Sequence, residues 1–239
     1  MTTEIELKYL ILSDNAAEKI TQIFNREKIQ FSYQEKQLTN CYFDTADLNL
    51  RQHDMGLRVR RCNNHIEQTI KTAGQVVGGL HSRPEYNVDI DTISPDLALF
   101  PSEIWQQNQS VSNIQNGLLT LFSTDFTRCT WLITDANNNV IELAYDQGEI
   151  TSAEQQDPID EIELELVKGD KLSLFNLASL LFKELALRPG LKSKAARGYA
   201  LWRTEPVEDK IEQENFICDN RNDTIGNAFT AGLGRGLTS

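Results

Sequence analysis

Three short stretches of this 239-residue sequence carry charges at a spacing that chemistry can use. Glu4, Glu6 and Lys8 alternate with Ile5, Leu7 and Tyr9, and Arg58 and Arg60 alternate with Leu57 and Val59. Late in the chain Glu161, Glu163 and Glu165 alternate with Ile162, Leu164 and Leu166. Side chains at i, i+2 and i+4 share one face of a strand, so each stretch reads as a strand with a charged and an apolar face. One such strand is ordinarily half-buried with its charges in water. Taken together they are less ordinary, because like charges cluster where a merely solvated face would mix signs. Carboxylates at strand spacing are hard oxygen ligands suited to Mg²⁺ or Mn²⁺. A ring of Lys and Arg suits a polyanion, since each charge-assisted hydrogen bond is worth about 1.5–3 kcal/mol. The chemistry implied is a metal–polyphosphate site inside a hydrated, charge-lined space.

The elements that must position these charges follow from periodicity and punctuation. The first strand runs from Met1 to about Leu12, and Ser13 is placed to cap a helix through about Glu27 with Ala17, Ile20, Ile23 and Phe24 as its apolar stripe. Strand-like material follows from about Ile29 to Asp44, then a helical turn near Ala46–Gln52. Strands are expected at 55–62, 65–72 and 81–90, with Gly74–Gly79 as a hairpin connection. The Ser-Pro and Phe-Pro-Ser punctuation of 94–117 predicts short helices and loops outside the sheet. Further strands are expected at 119–130, 131–135, 140–150 and about 158–168.

Asp170 is placed to cap an amphipathic helix bearing Leu174, Leu177, Leu181 and Leu185, which Pro189-Gly190 stops. Ser193 caps a last helix through Trp202, and Lys194 and Arg197 share its first turn, where the macrodipole disfavours cations and an anion would resolve the conflict. Eight or nine mostly adjacent antiparallel strands with a few helices predict an α+β fold whose sheet can close into a barrel, its apolar faces covered from outside. Beyond residue 203 the composition turns acidic and then glycine-rich, as expected of a linker or tail, or of the start of a further domain.

Composition narrows the function classes. A net charge of −12 should repel duplex DNA and anionic membranes unless the 23 Lys and Arg are segregated. No apolar run approaches the ~20 residues of a membrane helix, and the N-terminus lacks a basic, cleavable leader, so a cytoplasmic protein is expected. Cys41, Cys62, Cys129 and Cys218 stand far apart with no zinc-like spacing, which suits reduced thiols. The sequence holds no GxxxxGK[ST], HExxH or GxSxG motif, and Gly232–Gly236 lacks the strand–helix context of a dinucleotide fingerprint. His53, His65 and His81 are isolated and fit loop or rim positions.

Glu4-Ile5-Glu6-Leu7-Lys8 resembles the ExExK signature that opens CYTH (triphosphate tunnel) proteins. His53 to Arg60, Lys71, Gly78 to Tyr86, Arg128, Asp146 to Glu149, Glu161 to Glu165 and Ser193 to Tyr199 follow in that family's order, covering residues 1 to about 203. Their wording is most similar to bacterial inorganic triphosphatases in which a helical CHAD domain follows CYTH. The resemblance implies an eight-stranded antiparallel closed β-barrel, a tunnel with flanking helices, whose lumen binds inorganic triphosphate and hydrolyses it to diphosphate and phosphate with Mg²⁺ or Mn²⁺. It implies that Lys8, Arg58, Arg60, Lys71, Arg83, Arg128, Lys194 and Arg197 grip phosphates. It further implies that Glu4, Glu6, Asp146, Glu163 and Glu165 hold one or two metals. Glu85 and Glu165 are the carboxylates placed for catalysis, and Glu161 adds another near the mouth. A CYTH-type adenylyl cyclase, a thiamine or nucleoside triphosphatase, and a non-catalytic polyphosphate-binding module are the alternatives on the same scaffold. Intact metal carboxylates weigh against the last.

Overall fold

Wherever charged and apolar side chains alternate strongly, the chain is extended. The structure, a computed structural model, describes residues 2–77, 80–107 and 109–203. Its strands are β1 (Thr2–Ile11), β2 (Phe31–Thr45), β3 (Gly56–Cys62), β4 (His65–Lys71), β5 (Gln75–Val77), β6 (Leu80–Asp89), β7 (Leu118–Thr134), β8 (Val140–Ser152), β9 (Gln155–Lys168) and β10 (Leu187–Pro189). The order β1-β9-β8-β7-β2-β3-β4-β6 closes when β6 pairs β1, giving a ring of eight antiparallel strands. The short β5 and β10 add to β6 and β1. This is the closed antiparallel tunnel that the resemblance implied. The tail 204–239, Cys218 and the Gly78-Gly79 part of the expected hairpin lie outside the described residues.

The helices are α1 (Ala16–Arg26), α2 (Asn49–Gln52), α3 (Val111–Gly117), α4 (Leu172–Leu181) and α5 (Lys194–Trp202). Outward-facing Leu7, Tyr9, Ile11, Trp131, Leu143, Ile162 and Leu164 pack against Ile20, Ile23 and Phe24 of α1 and Leu174, Leu177 and Leu181 of α4. On the other side, Leu57 and Ile70 are covered by Leu97, Phe100 and Ile114 of the 94–117 segment. Each such side chain contributes about 1.5–3 kcal/mol when fully buried. The hydrophobic core therefore lies outside the ring, which leaves the charged faces to line its interior. No described helix is long and apolar enough to cross a membrane.

Local expectations were altered in three places. Ser13 does not cap α1; the helix starts after Asn15 in the left-handed region (φ 55°), and the Ser13 hydroxyl accepts a hydrogen bond from Ala186 N–H at 2.9 Å. The two strands expected at 119–130 and 131–135 are one, because β7 pairs continuously with β2 and β8 and nothing between them supplies a turn. Pro189 does not simply end α4, since Leu187–Pro189 forms β10 against β1, and Gly190 sits where an added Cβ would meet Lys8 Cγ at 2.7 Å. The cap at Ser193 is as expected, its hydroxyl accepting from Ala196 N–H at 3.1 Å.

One end of the ring is filled from within. Leu38, Tyr42, Phe122 and Phe126 gather with Tyr199 of α5 in a buried cluster. Gly198 lets α5 lie on the Phe122 ring, where a Cβ would come within 2.1 Å. The Tyr199 hydroxyl donates to Asp44 at 2.9 Å. The last helix thus closes an end of the tunnel instead of covering the outside.

Candidate functional site

Strand register brings the charged faces into one lumen. Glu6 stands opposite Glu165 and Lys8 opposite Glu163 across β1 and β9, and Glu4 opposite Arg83 across β1 and β6. Lys71 faces Glu85 across β4 and β6, and Arg128 faces Asp146 across β7 and β8. Every residue expected to act from the sequence lies on or beside this surface, and two electrically different regions result.

In the first region each carboxylate is matched by cations. Lys194 Nζ reaches Asp146 at 2.6 Å, Glu161 at 2.6 Å and Glu163 at 3.0 Å. Lys8 Nζ reaches Glu161 at 2.7 Å and also Glu163. Arg128 bonds Asp146 through two nitrogens at 2.7 Å and Glu163 at 2.6 Å. Burial by itself would raise these acids, but the cations outweigh it and hold Glu163 well below the usual carboxylate range, with Asp146 and Glu161 also lowered. Lys8 is raised in turn, because Glu163, Glu161 and Glu6 overcome its desolvation. Phe126 underlies the group, with Lys194 5.2 Å and Arg128 5.8 Å from its ring centre.

In the second region carboxylates face one another. Burial and the nearby Glu163 push Glu6 up to about 7. Burial together with Glu4, Glu142 and Glu6 pushes Glu165 up to about 7. Buried like charges raise each other's pKa in this way, and a divalent cation relieves the conflict. Glu4 is engaged by Lys71. Oxygen ligands in this number and of this hardness fit Mg²⁺ or Mn²⁺. Asp146, Glu161 and Glu163 offer oxygens within 4.8 Å of one another and also resemble a metal nest by distance. Their charge is already balanced by Lys8, Lys194, Arg128 and Arg197, so Glu6 and Glu165 make the stronger electrostatic case.

Three arginines have donors that the protein leaves without an anionic acceptor. Arg60 Nε donates only to the neutral Asn40 side chain at 2.8 Å, and burial with neighbouring Arg58 and Arg128 pulls it down to about 10. Arg58 and Arg83 each bury an Nε without a hydrogen-bond acceptor. Such orphaned cationic donors are costly unless an anion completes them. Glu85 lies among them, 3.1 Å from Lys71 and 3.4 Å from Arg58. Burial would raise Glu85, but these two cations hold it down at about 2. Arg197 lies at the edge of this surface, bonding Asp157 at 2.7 Å, Glu161 at 3.3 Å and the Pro158 carbonyl.

The lumen opens into a cavity of about 610 Å³ lined by Lys36, Arg60, Asn63, His65, Arg128 and Glu142 among others. Two contributors escaped the sequence reading. Glu142 shares its face of β8 with Asp146, an alternation that would have found it. Asn40 holds Arg60 and donates to Thr124 at 2.8 Å, and no pattern signals it.

The sequence profile of the CYTH domain matches residues 2–199. The inorganic triphosphatase of Haemophilus influenzae is 36% identical over 230 residues, which cover 94% of this chain and 62% of that protein. The chain thus spans 62% of the length of that curated relative. Among solved structures, one from Hippeastrum, described as an adenylyl cyclase candidate with a dominant triphosphatase activity, superposes with a TM-score of 0.59 at 20% identity. The match covers 82% of this chain and 95% of the other, and it shows a shared fold.

Proposed function

The chain belongs to the CYTH domain family, and from that premise we propose that it hydrolyses inorganic triphosphate to diphosphate and phosphate with Mg²⁺ or Mn²⁺. The observation that carries this reading is unmet polar demand in one lumen: buried arginine donors without an acceptor beside carboxylates that repel one another.

In this reading Lys8, Arg58, Arg60, Lys71, Arg83, Arg128, Lys194 and Arg197 supply the cationic surface for the phosphates, with Arg58, Arg60 and Arg83 the least compensated before substrate arrives. Glu4, Glu6, Asp146, Glu163 and Glu165 would hold the metal. When bound, it adds positive charge that offsets the charge of the transferring phosphoryl group. Water attacks the terminal phosphorus in line, the bridging P–O bond breaks, and diphosphate leaves. Glu165, which stands beside Glu6 and Glu142 without an ion-pair partner among the described residues, is the carboxylate placed to orient the water and take its proton. Glu85, held at about 2, is too weak a base for that role and instead fixes Lys71 and Arg58.

The test is phosphate release from tripolyphosphate, ATP and thiamine triphosphate in parallel with Mg²⁺ or Mn²⁺, with cyclic AMP followed in the ATP sample. A strong preference for tripolyphosphate is expected. Cyclic AMP formation or a nucleotide preference would replace the reading with a sibling activity, and binding without turnover would leave a polyphosphate-binding module.

A further inference from the structure

Glu161 has no place in the reaction as described, yet it is completely buried at the closed end of the lumen. Its Oε1 accepts from two ammonium groups brought by different elements, Lys8 of β1 at 2.7 Å and Lys194 of α5 at 2.6 Å. Its Oε2 accepts from Arg197 of α5 at 3.3 Å. Both oxygens are therefore occupied by protein cations. Arg197 is tied at the same time to Asp157 and the Pro158 carbonyl at the start of β9.

Lys194 belongs to no strand of the ring, so its entry into the lumen depends on how α5 is docked. Apolar packing of Gly198 on Phe122 and of Tyr199 in its cluster holds the middle of the helix. In the first turn Ala195 packs at the edge of the same cluster, while the buried Lys194 ends on carboxylates. Glu163 also bridges the two lysines, so Glu161 is the second anion they share, and of the two it alone also holds Arg197.

We propose that Glu161 is a positioning residue that sets the ammonium groups of Lys8 and Lys194 and, through Arg197, docks the first turn of α5, without itself ligating metal. The proposal rests on the triphosphatase reading for its kinetic consequence only. Removing the Glu161 charge leaves Lys8 on Glu163 and Lys194 on Glu163 and Asp146, and frees Arg197 from the lumen, so the first turn of α5 loosens. Phosphate grip weakens while Glu165, which Glu161 does not contact, is little affected.

The experiment compares the full chain with its Glu161→Gln variant in three measurements. Amide hydrogen exchange on the ligand-free protein should show α5 exchanging about 10-fold faster in the variant with α4 unchanged. The KM for tripolyphosphate should rise about 10-fold or more with kcat kept within about 3-fold, the range seen when residues supporting a site are lost. Mn²⁺ affinity, read by electron paramagnetic resonance, should stay within about 2-fold. Unchanged exchange in α5 together with an unchanged KM would overturn the proposal, and so would a 10-fold weakening of Mn²⁺, which would make Glu161 a ligand. If the unsubstituted chain leaves tripolyphosphate untouched, the substrate reading fails on its own and the exchange rates decide the positioning role. Should Glu161→Gln fail to fold, Arg197→Lys, which keeps the charge and loses the bond to Asp157, must loosen α5 in the same direction.

Discussion

Glu163 and Glu165 stand two residues apart on the same face of β9, and their electrical situations are opposite. Glu163 is surrounded by Lys8, Lys194 and Arg128 and held well below its ordinary range. Glu165 faces Glu6 and Glu142 in register and is pushed up to about 7. The difference teaches that identical residues at identical spacing acquire different duties from what other elements bring beside them. In the matched region charge is already satisfied by protein cations, so Asp146 and Glu163 can serve a metal only as Lys8, Lys194 and Arg128 turn to the substrate. In the unmatched region charge is unsatisfied, which suits a divalent ion or a transferable proton.

The contrast is broken most forcefully by removing a cation from the matched region. Lys194→Met should destabilise the ligand-free protein by about 3 kcal/mol, because Asp146 and Glu161 are completely buried and would lose a partner. A urea-unfolding loss below about 1 kcal/mol, the worth of an exposed pair, would dissolve the distinction.

Neutralising an acid of the unmatched region should do the reverse. Glu165→Gln is expected to lower metal-dependent turnover at least about 100-fold while leaving the thermal midpoint unchanged or higher, since a proton-transfer group is lost and a repulsion is relieved. Glu6→Gln should behave alike, and near-normal turnover in both would sink the metal and base assignments.

A pH series sharpens the comparison further. Glu6 and Glu165 are raised from 4.5 to about 7, so the folded state binds their protons more tightly than the unfolded chain. Their stabilising effect is full below 4.5 and is lost as pH rises through about 7. Metal-free protein should therefore lose on the order of 3 kcal/mol or more between about pH 5 and pH 8, and Mg²⁺ or Mn²⁺ should flatten the decline. Glu85, lowered to about 2, acts with the opposite sign, its contribution present above 4.5 and lost only as pH falls toward 2. Urea midpoints that climb steadily through neutral pH would contradict the unmatched region.

The smallest effect belongs to Glu142. Its charge is among the causes that raise Glu165, so Glu142→Gln should move the acid limb of the kcat profile downward by about half a pH unit. No movement, or an upward one, would remove Glu142 from the group.

Much of the fold was legible because alternation has a period of two, and register in a closed ring follows from keeping each apolar face against its helices. β1 and β3 were readable to within a residue, β9 from its charged stretch onward though it begins earlier, at Gln155, and Ser193 announced its own helix. The turn before α1 was not, since Asn15 and Ser13 are both competent capping residues and only the contact of Ser13 with Ala186 takes one of them away. Asn40 was invisible because its importance lies in touching Arg60, two strands' worth of sequence away.

By itself the sequence determined which faces are charged, where most of the ring strands lie and which signs recur, because those are properties of neighbours along the chain. It also carried the ordered motifs that place the chain in its family. Only the tertiary structure decided which acid meets which base. Lys194 arrives on a helix that closes one end of the ring, and its arrival satisfies Glu163 while leaving Glu165 unmatched. The physical reason is that interaction between charges depends on distance and burial, both of which exist only once strands far apart in sequence have closed around a common interior.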